Sequence, residues 1–260
     1  MSRIHSMSRI HGSKEMWLAA IRSDGPALRL AAAEVNLDMS TPSRPPWTMA
    51  DLLHHLGSVY RWVTDHAPRG LTTQPDRPLS AYLEEPVPAD VRAWWDDVFA
   101  KTVETLDRLD ADAPAWNWAP QPKKAAFWHR RLAMETAVAR WDAQMTAGAA
   151  EPIEAKLASD GVAEVLDTFL PAGHRAAAAR PSGLVALRAT DIDHTWHVRL
   201  RGDGIALLDT DTIFDADELR ARGVAAGTAS DLMLVLHGRI GVDVLDITGD
   251  LTLIDAVRVG

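Results

Sequence analysis

The chain has 260 residues, 47% of them apolar and 24% charged, a composition typical of a soluble globular protein long enough for two domains. Its net charge of −9 argues against a nucleic-acid partner or an anionic membrane surface. It has no cysteine, which excludes disulfides, cysteine-based zinc sites and a thiol nucleophile of the protein's own.

The first residues carry no recognisable targeting segment. Residues 1–5 are repeated as residues 7–11 without an apolar core of signal-peptide length, and we expect residues 1–12 to be disordered. No apolar run approaches the ~18 residues of a membrane span. We therefore expect a cytoplasmic monomer or homodimer that binds a small-molecule substrate, with no nucleic-acid or membrane partner.

Helical periodicity dominates the first half of the chain. Four helices are predicted, over residues 13–36, from residue 48 onward, over 89–109 and over 122–147. Gly25-Pro26 marks either a kink in the first helix or a boundary between two pieces. Thr48 and Asp51 have the spacing of a capping box for the second helix. Residues 68–88 form a long proline-punctuated connection that is not expected to be regular and could cover a pocket.

The second half mixes helices with short strands. Strands are predicted over residues 184–188, 195–200, 205–208 and 244–248. Helices are predicted over 154–169 and 230–238, and residues 201–204 have the composition of a hairpin turn. Helices beside a mainly antiparallel sheet indicate a small α+β domain of the sterol-carrier type. We therefore predict an α+β protein with a helical bundle at 13–150 and an α+β domain at 151–260.

Two ionisable side chains stand out because they lie on or beside apolar helix faces. His55 falls on the apolar face of the second helix, which is formed by Leu52, Leu56, Val59 and Val63. Glu135 borders the apolar stripe of the fourth helix, which is formed by Phe127, Met134, Val138, Trp141 and Met145. A carboxylate in that position is costly unless it meets a cation, a donor or a metal. His55 and Glu135 are therefore candidate metal ligands or catalytic groups, although a core histidine and an exposed Glu135–Arg131 ion pair are the structural alternatives.

The sequence around these residues resembles the mycothiol-dependent maleylpyruvate isomerase family of actinobacteria. The matching positions are Trp47, residues 51–57, residues 135–138, Arg140, Asp142-Ala143, residues 227–234, Gly238-Arg239 and Gly249-Asp250. The resemblance implies a DinB-like four-helix bundle followed by a small α+β domain. It also implies mycothiol as a cofactor and a divalent metal, usually zinc, held by His55, Glu135 and a histidine four residues later.

The third ligand of that implied metal site is missing, because position 139 is Ala. Two protein ligands rarely hold zinc, since catalytic sites normally supply three ligands and a water. Helical geometry turns His54 about 100° away from His55 and places neither His129 nor Asp142 beside Glu135. A ligand from another helix, such as His66, or from the second domain stays open. The metal site is therefore predicted to be incomplete.

Arg239 is the last candidate, as the counterpart of a substrate-binding arginine that the resemblance implies. A guanidinium holds a carboxylate through two parallel hydrogen bonds, although a solvated cation near a helix end is the structural alternative. The favoured hypothesis is a mycothiol-dependent isomerase or S-transferase acting on a small, acidic electrophile. The alternatives are a metal-free isomerase, lyase or cyclase in which His55 and Glu135 are the acid and base, and a non-catalytic small-molecule-binding relative.

Overall fold

The computed structural model describes residues 12–208 and 222–260. A helical N-terminal half precedes a smaller mixed β-sheet with its own helices, which confirms the predicted α+β class. The helices are α1 (Lys14–Glu34), α2 (Met49–His66), α3 (Ser80–Leu83), α4 (Val91–Arg108), α5 (Ala126–Thr146), α6 (Ala155–Glu164), α7 (Ala229–Leu236) and α8 (Leu251–Asp255). The strands are β1 (Ser182–Ala189), β2 (His194–Arg201), β3 (Gly204–Leu208), β4 (Arg222–Gly227) and β5 (Asp246–Gly249). Of the start expected to be disordered, residues 1–11 lie outside the described residues.

Helices α1, α2, α4 and α5 form a bundle in which α1 and α2 each contact both α4 and α5. α2 begins with the predicted capping box: the Thr48 hydroxyl accepts the Asp51 N–H, and the Asp51 carboxylate accepts the Thr48 N–H. α1 runs unbroken through Gly25-Pro26, so the alternative of two separate helices is wrong. A Cβ on Gly25 would lie 2.2 Å from Cζ of Phe99, which shows that this glycine lets α1 approach α4 closely.

Helix α5 is enclosed on nearly every side. From Phe127 to Gln144 every residue is buried except Glu135. Burial of so many polar residues is tolerated because they are paired. His129, for example, contacts the carbonyl oxygens of Ala125 and Leu106, each at 2.9 Å. Between residues 127 and 144, and as far as the described residues cover the helix, solvent therefore reaches α5 only at Glu135.

The connection between α2 and α4 packs on the C-terminal half of α2. It contains the short helix α3, whose buried Tyr82 donates its hydroxyl to Asp65 at 2.8 Å. A cavity of about 150 Å³ lies under this connection and is lined in part by His66 and Trp116. His66 is eleven residues from His55 on the same helix, or ~16 Å along its axis, so this cavity is separate from the predicted site.

The second half is built on a five-stranded sheet of order β3-β2-β1-β4-β5. β1 and β4 are parallel and the other neighbours are antiparallel. The three predicted strands at 184–208 are present, whereas β4 and α8 were not predicted and the last strand is Asp246–Gly249 rather than 244–248. α6 continues into a π-helical turn, Val165–Phe169, and packs against α7.

Hydrogen bonds and ion pairs connect the bundle to α6 and to the π-helical turn that follows it. Trp17 of α1 donates its indole N–H to Asp160 of α6 at 2.7 Å. Arg130 of α5 reaches Asp160 at 2.8 Å and Asp167 at 3.0 Å. Within the part of the chain that the structure describes, no helix is long and apolar enough to cross a membrane.

Candidate active site

Glu135 marks the opening on α5, and the cation beside it is buried. The guanidinium of Arg131 lies 2.7 Å from Oε1 of Glu135 and also contacts the carboxylate of Glu164 on α6. The i, i+4 ion pair is therefore present, but Arg131 is enclosed rather than exposed. Burial alone would raise the pKa of Glu135, but Arg131 and then His55 lower it to about 2. Glu135 is therefore ionised at neutral pH.

Glu164 shares Arg131 with Glu135 but behaves in the opposite way. Its side chain is almost fully enclosed, and burial raises the pKa of Glu164 to about 7 against the influence of Arg131 and Arg130. The two carboxylates on one guanidinium are thus distinguished by their exposure. Glu135, the more exposed carboxylate, is an anion at the site, whereas the enclosed Glu164 is the first of the two to take a proton as the pH falls.

His55 reaches the same region from α2. It is half-buried, and its ring centroid lies 4.7 Å from that of Trp47. Burial lowers the pKa of His55, and the nearby Glu135 opposes this effect. The imidazole is therefore neutral near pH 7 and can accept a proton. His54 instead packs on Trp94 of α4, with ring centroids 5.7 Å apart.

Arg239 approaches from the second half, after α7. Its Nε donates to Asp142 of α5 at 3.0 Å, and its Nη1 donates to the carbonyl oxygen of His237 at 2.7 Å. The other oxygen of Asp142 accepts the hydroxyl of Ser43 at 2.5 Å. Arg239 is thus held beside the bundle by a carboxylate of the protein, and it is not the solvated cation of the structural alternative.

His237 lies at the end of α7 and was not identified from the sequence. Its Nε2 is buried without a hydrogen-bond partner among the described residues. Burial, aided by Arg131 and Arg239, lowers the pKa of His237 to about 3 although Glu135 opposes it. Phe169, placed by the π-helical turn, lies 6.0 Å from the His237 ring and 4.8 Å from the Arg131 guanidinium carbon. Both halves of the chain therefore contribute to the surroundings of Glu135.

The loop before α2 adds a further cation, Arg44, which the sequence did not reveal. Its guanidinium carbon lies 3.6 Å from the ring centroid of Trp47, the residue that also contacts His55. Burial lowers the pKa of Arg44, as does neighbouring Arg239, whereas Asp142 and Glu135 oppose this. These electrostatic influences place Arg44 in the same cluster as Arg239, Asp142 and Glu135.

The side chains present do not fit the family's divalent metal. Ala139 offers no donor, and no group of three His, Cys, Asp or Glu residues suited to a metal ion occurs within residues 12–208 and 222–260. Asp142 is engaged with Arg239 and Ser43, His129 with backbone carbonyls and His54 with Trp94, and His66 lies beneath the 68–88 connection. His237 of the second half lies near Glu135, but among the described residues it completes no group of three suited to a metal. A site made of His55 and Glu135 alone is incomplete for zinc.

The fold defined by these elements occurs in solved structures. Two crystal structures, of the mycothiol-dependent maleylpyruvate isomerase and of a mutant of it, each match with a TM-score of 0.61. The identities are 14% and 13%, and each alignment covers 93% of this chain and 96% of the other. No curated protein gives a significant match.

The family follows from the sequence of the bundle. Residues 18–144 match the family described as the mycothiol maleylpyruvate isomerase N-terminal domain. The helical half of the chain belongs to this family, and the isomerase structures share the fold over 93% of the chain. The matched range includes both His55 and Glu135, so the predicted resemblance is confirmed.

Proposed function

We propose that the chain is a mycothiol-dependent isomerase or S-transferase that acts on a small, acidic electrophile without a bound zinc ion. The observation that carries this proposal is electrostatic: Glu135 and Arg239 both act on the pKa of His55, and Glu135 is the partly exposed residue of the otherwise buried stretch 127–144. The family of the bundle supports the thiol cofactor, and Ala139 supports the absence of zinc. Maleylpyruvate is the first substrate to test, because the solved structures that share this fold are those of a maleylpyruvate isomerase.

The side chains have separable roles in this proposal. Mycothiol, when bound, supplies the sulfur nucleophile that a chain without cysteine lacks. His55 holds a neutral ring nitrogen that can accept a proton and return it. Glu135 stays anionic and stabilises positive charge on His55 when that proton is held. Arg239 binds an acidic substrate with the part of its guanidinium that Asp142 and His237 leave open.

A metal-free reaction without any thiol is the second candidate, and one observation favours it. Ala139 removes a ligand of the metal that would lower the pKa of a bound thiol, and proton transfer between His55, Glu135 and a substrate needs no thiolate. The same two residues could then catalyse an isomerisation or an elimination by proton transfer alone.

The test uses untagged protein purified without chelator and supplied with maleylpyruvate, with and without mycothiol. We expect less than 0.1 zinc per chain and thiol-dependent turnover that a chelator does not change. We expect His55→Ala to lower kcat at least 100-fold while the protein remains folded. Turnover without thiol would support the second candidate, whereas about one zinc per chain would show that the metal-free proposal is wrong. A His55→Ala variant with full activity would contradict the role of His55.

A further inference from the structure

Three arginines lie in the charged cluster that includes Glu135 and His55, and they differ in whether the protein neutralises them. Arg131 contacts two carboxylates, and Arg239 contacts Asp142 at 3.0 Å. Arg44 has neither an ion pair nor a side-chain hydrogen bond with any residue in the described ranges. It is therefore the one cation of the three whose charge has no direct partner.

Arg44 is also not an ordinary solvated side chain. It is half-buried, and its guanidinium carbon lies 3.6 Å from the Trp47 ring centroid. Partial burial and the neighbouring cation Arg239 both lower the pKa of Arg44, although Asp142 and Glu135 oppose this. Both effects are unfavourable for the cation, and the attraction of an anion bound there would offset them.

The loop that carries Arg44 is fixed before any ligand arrives. The Thr41 N–H donates to the Trp47 carbonyl at 2.7 Å, the Arg44 N–H donates to the Thr41 carbonyl at 3.0 Å, and the Trp47 N–H donates to the Arg44 carbonyl at 2.8 Å. The indole ring then holds the plane of the guanidinium from one side. A prearranged cation loses little conformational entropy on binding, which favours affinity for a small ligand.

The loop places an anion bound at Arg44 close to His55, because Trp47 contacts both residues. The Trp47 ring packs against the Arg44 guanidinium, and its centroid lies 4.7 Å from that of the His55 ring. A molecule whose acidic group bound Arg44 would place its neighbouring atoms near His55. The planar fork of a guanidinium matches the two oxygens of a carboxylate.

We propose that Arg44, stacked on Trp47, is a further carboxylate subsite of the substrate pocket, in addition to Arg239, whose position is set by Asp142. This inference rests on the proposed function, because it adds a second cationic contact, Arg44, for the acidic substrate. It predicts specificity for molecules whose carboxylate lies a short distance from the reacting carbon.

The experiment measures binding of maleate, a non-reacting dicarboxylate, to the full chain by isothermal titration calorimetry. We expect Arg44→Met to weaken binding about tenfold to a hundredfold, since a charge-assisted, two-point contact is lost. Arg44→Lys keeps the charge but not the fork, and we expect a weakening between those of wild type and Arg44→Met. The matched control is Arg77→Met, because Arg77 also stacks on an aromatic ring, Tyr82 at 3.8 Å, but is neutralised by Glu85.

The results separate this inference from the proposed function. Unchanged maleate binding in both Arg44 variants, or no binding to the wild-type chain, would overturn the inference. Equal binding of inorganic phosphate would overturn the assignment to a carboxylate. Arg44-dependent maleate binding in a protein without turnover would support the subsite and contradict the proposed function. In an active protein we expect Arg44→Lys to raise KM more than it lowers kcat, and the opposite pattern would contradict a binding role.

Discussion

Glu164→Gln tests the electrostatics of the shared guanidinium. Glu164 has a pKa raised by burial from 4.5 to about 7, and this shift of ~2.5 units corresponds to ~3 kcal/mol at 1.36 kcal/mol per unit. Because the pKa of Glu164 is higher in the folded than in the unfolded protein, its protonation stabilises the fold. This contribution is complete below pH 4.5 and is lost as the pH rises to about 7. Glutamine stays neutral over this range, so the variant lacks this loss.

The assay is urea unfolding of both proteins from pH 5 to pH 7.5. We expect the stability of Glu164→Gln relative to wild type to rise by about 2 kcal/mol across this range, or about 4–8 °C in Tm. The histidines with lowered pKa lose stability as the pH falls below 6.5, but they are present in both proteins and cancel in the difference. Glu104→Gln, an exposed carboxylate on α4, is the matched control and should parallel wild type. Curves for Glu164→Gln and wild type that stay parallel within about 0.5 kcal/mol would refute the reasoning.

Two further predictions concern other parts of the structure. In Ala139→His, the zinc content after loading should approach one per chain, because a histidine at this position shares a helical face with Glu135. The zinc content of the wild-type protein should stay near zero. An unchanged zinc content in the variant would show that Glu135 and His55 do not face a common point. Asp160→Ala should lower the free energy of unfolding by about 3–5 kcal/mol, since it removes a buried partner of Arg130 and the acceptor for the Trp17 indole. A loss below about 1 kcal/mol in urea unfolding would contradict that account.

The sequence predicted those helices and strands whose residues have the local patterns typical of such elements. The Thr48–Asp51 capping box places the start of α2 correctly, because capping depends only on neighbouring residues. Strand β4 was missed because Gly223, Ala225, Ala226 and Gly227 lack the branched side chains that mark strands. Tertiary packing explains this composition: a Cβ on Gly223 would lie 2.7 Å from the carbonyl oxygen of Asp250. Small residues are therefore required where α8 meets the sheet.

The residues of the candidate site likewise fall into two groups, those that the sequence predicted and those that it did not. His55 and Glu135 are visible in the sequence because each is a polar residue on or beside an apolar helix face. Arg44 lies in a proline-rich loop and His237 lies at the end of a short helix, where no periodicity distinguishes them. Their importance comes from neighbours more than ninety residues away in the sequence, which only the folded chain brings together.

The enclosure of α5 has a consequence for how new activities could arise on this scaffold. In a library of random substitutions, residues 127–144 should tolerate little change, because all but Glu135 are surrounded by protein. Loop 41–47 and the residues after α7 border the opening without forming the centre of the bundle. Variants that accept different substrates should therefore be recovered from these two segments, while the central helix stays nearly unchanged.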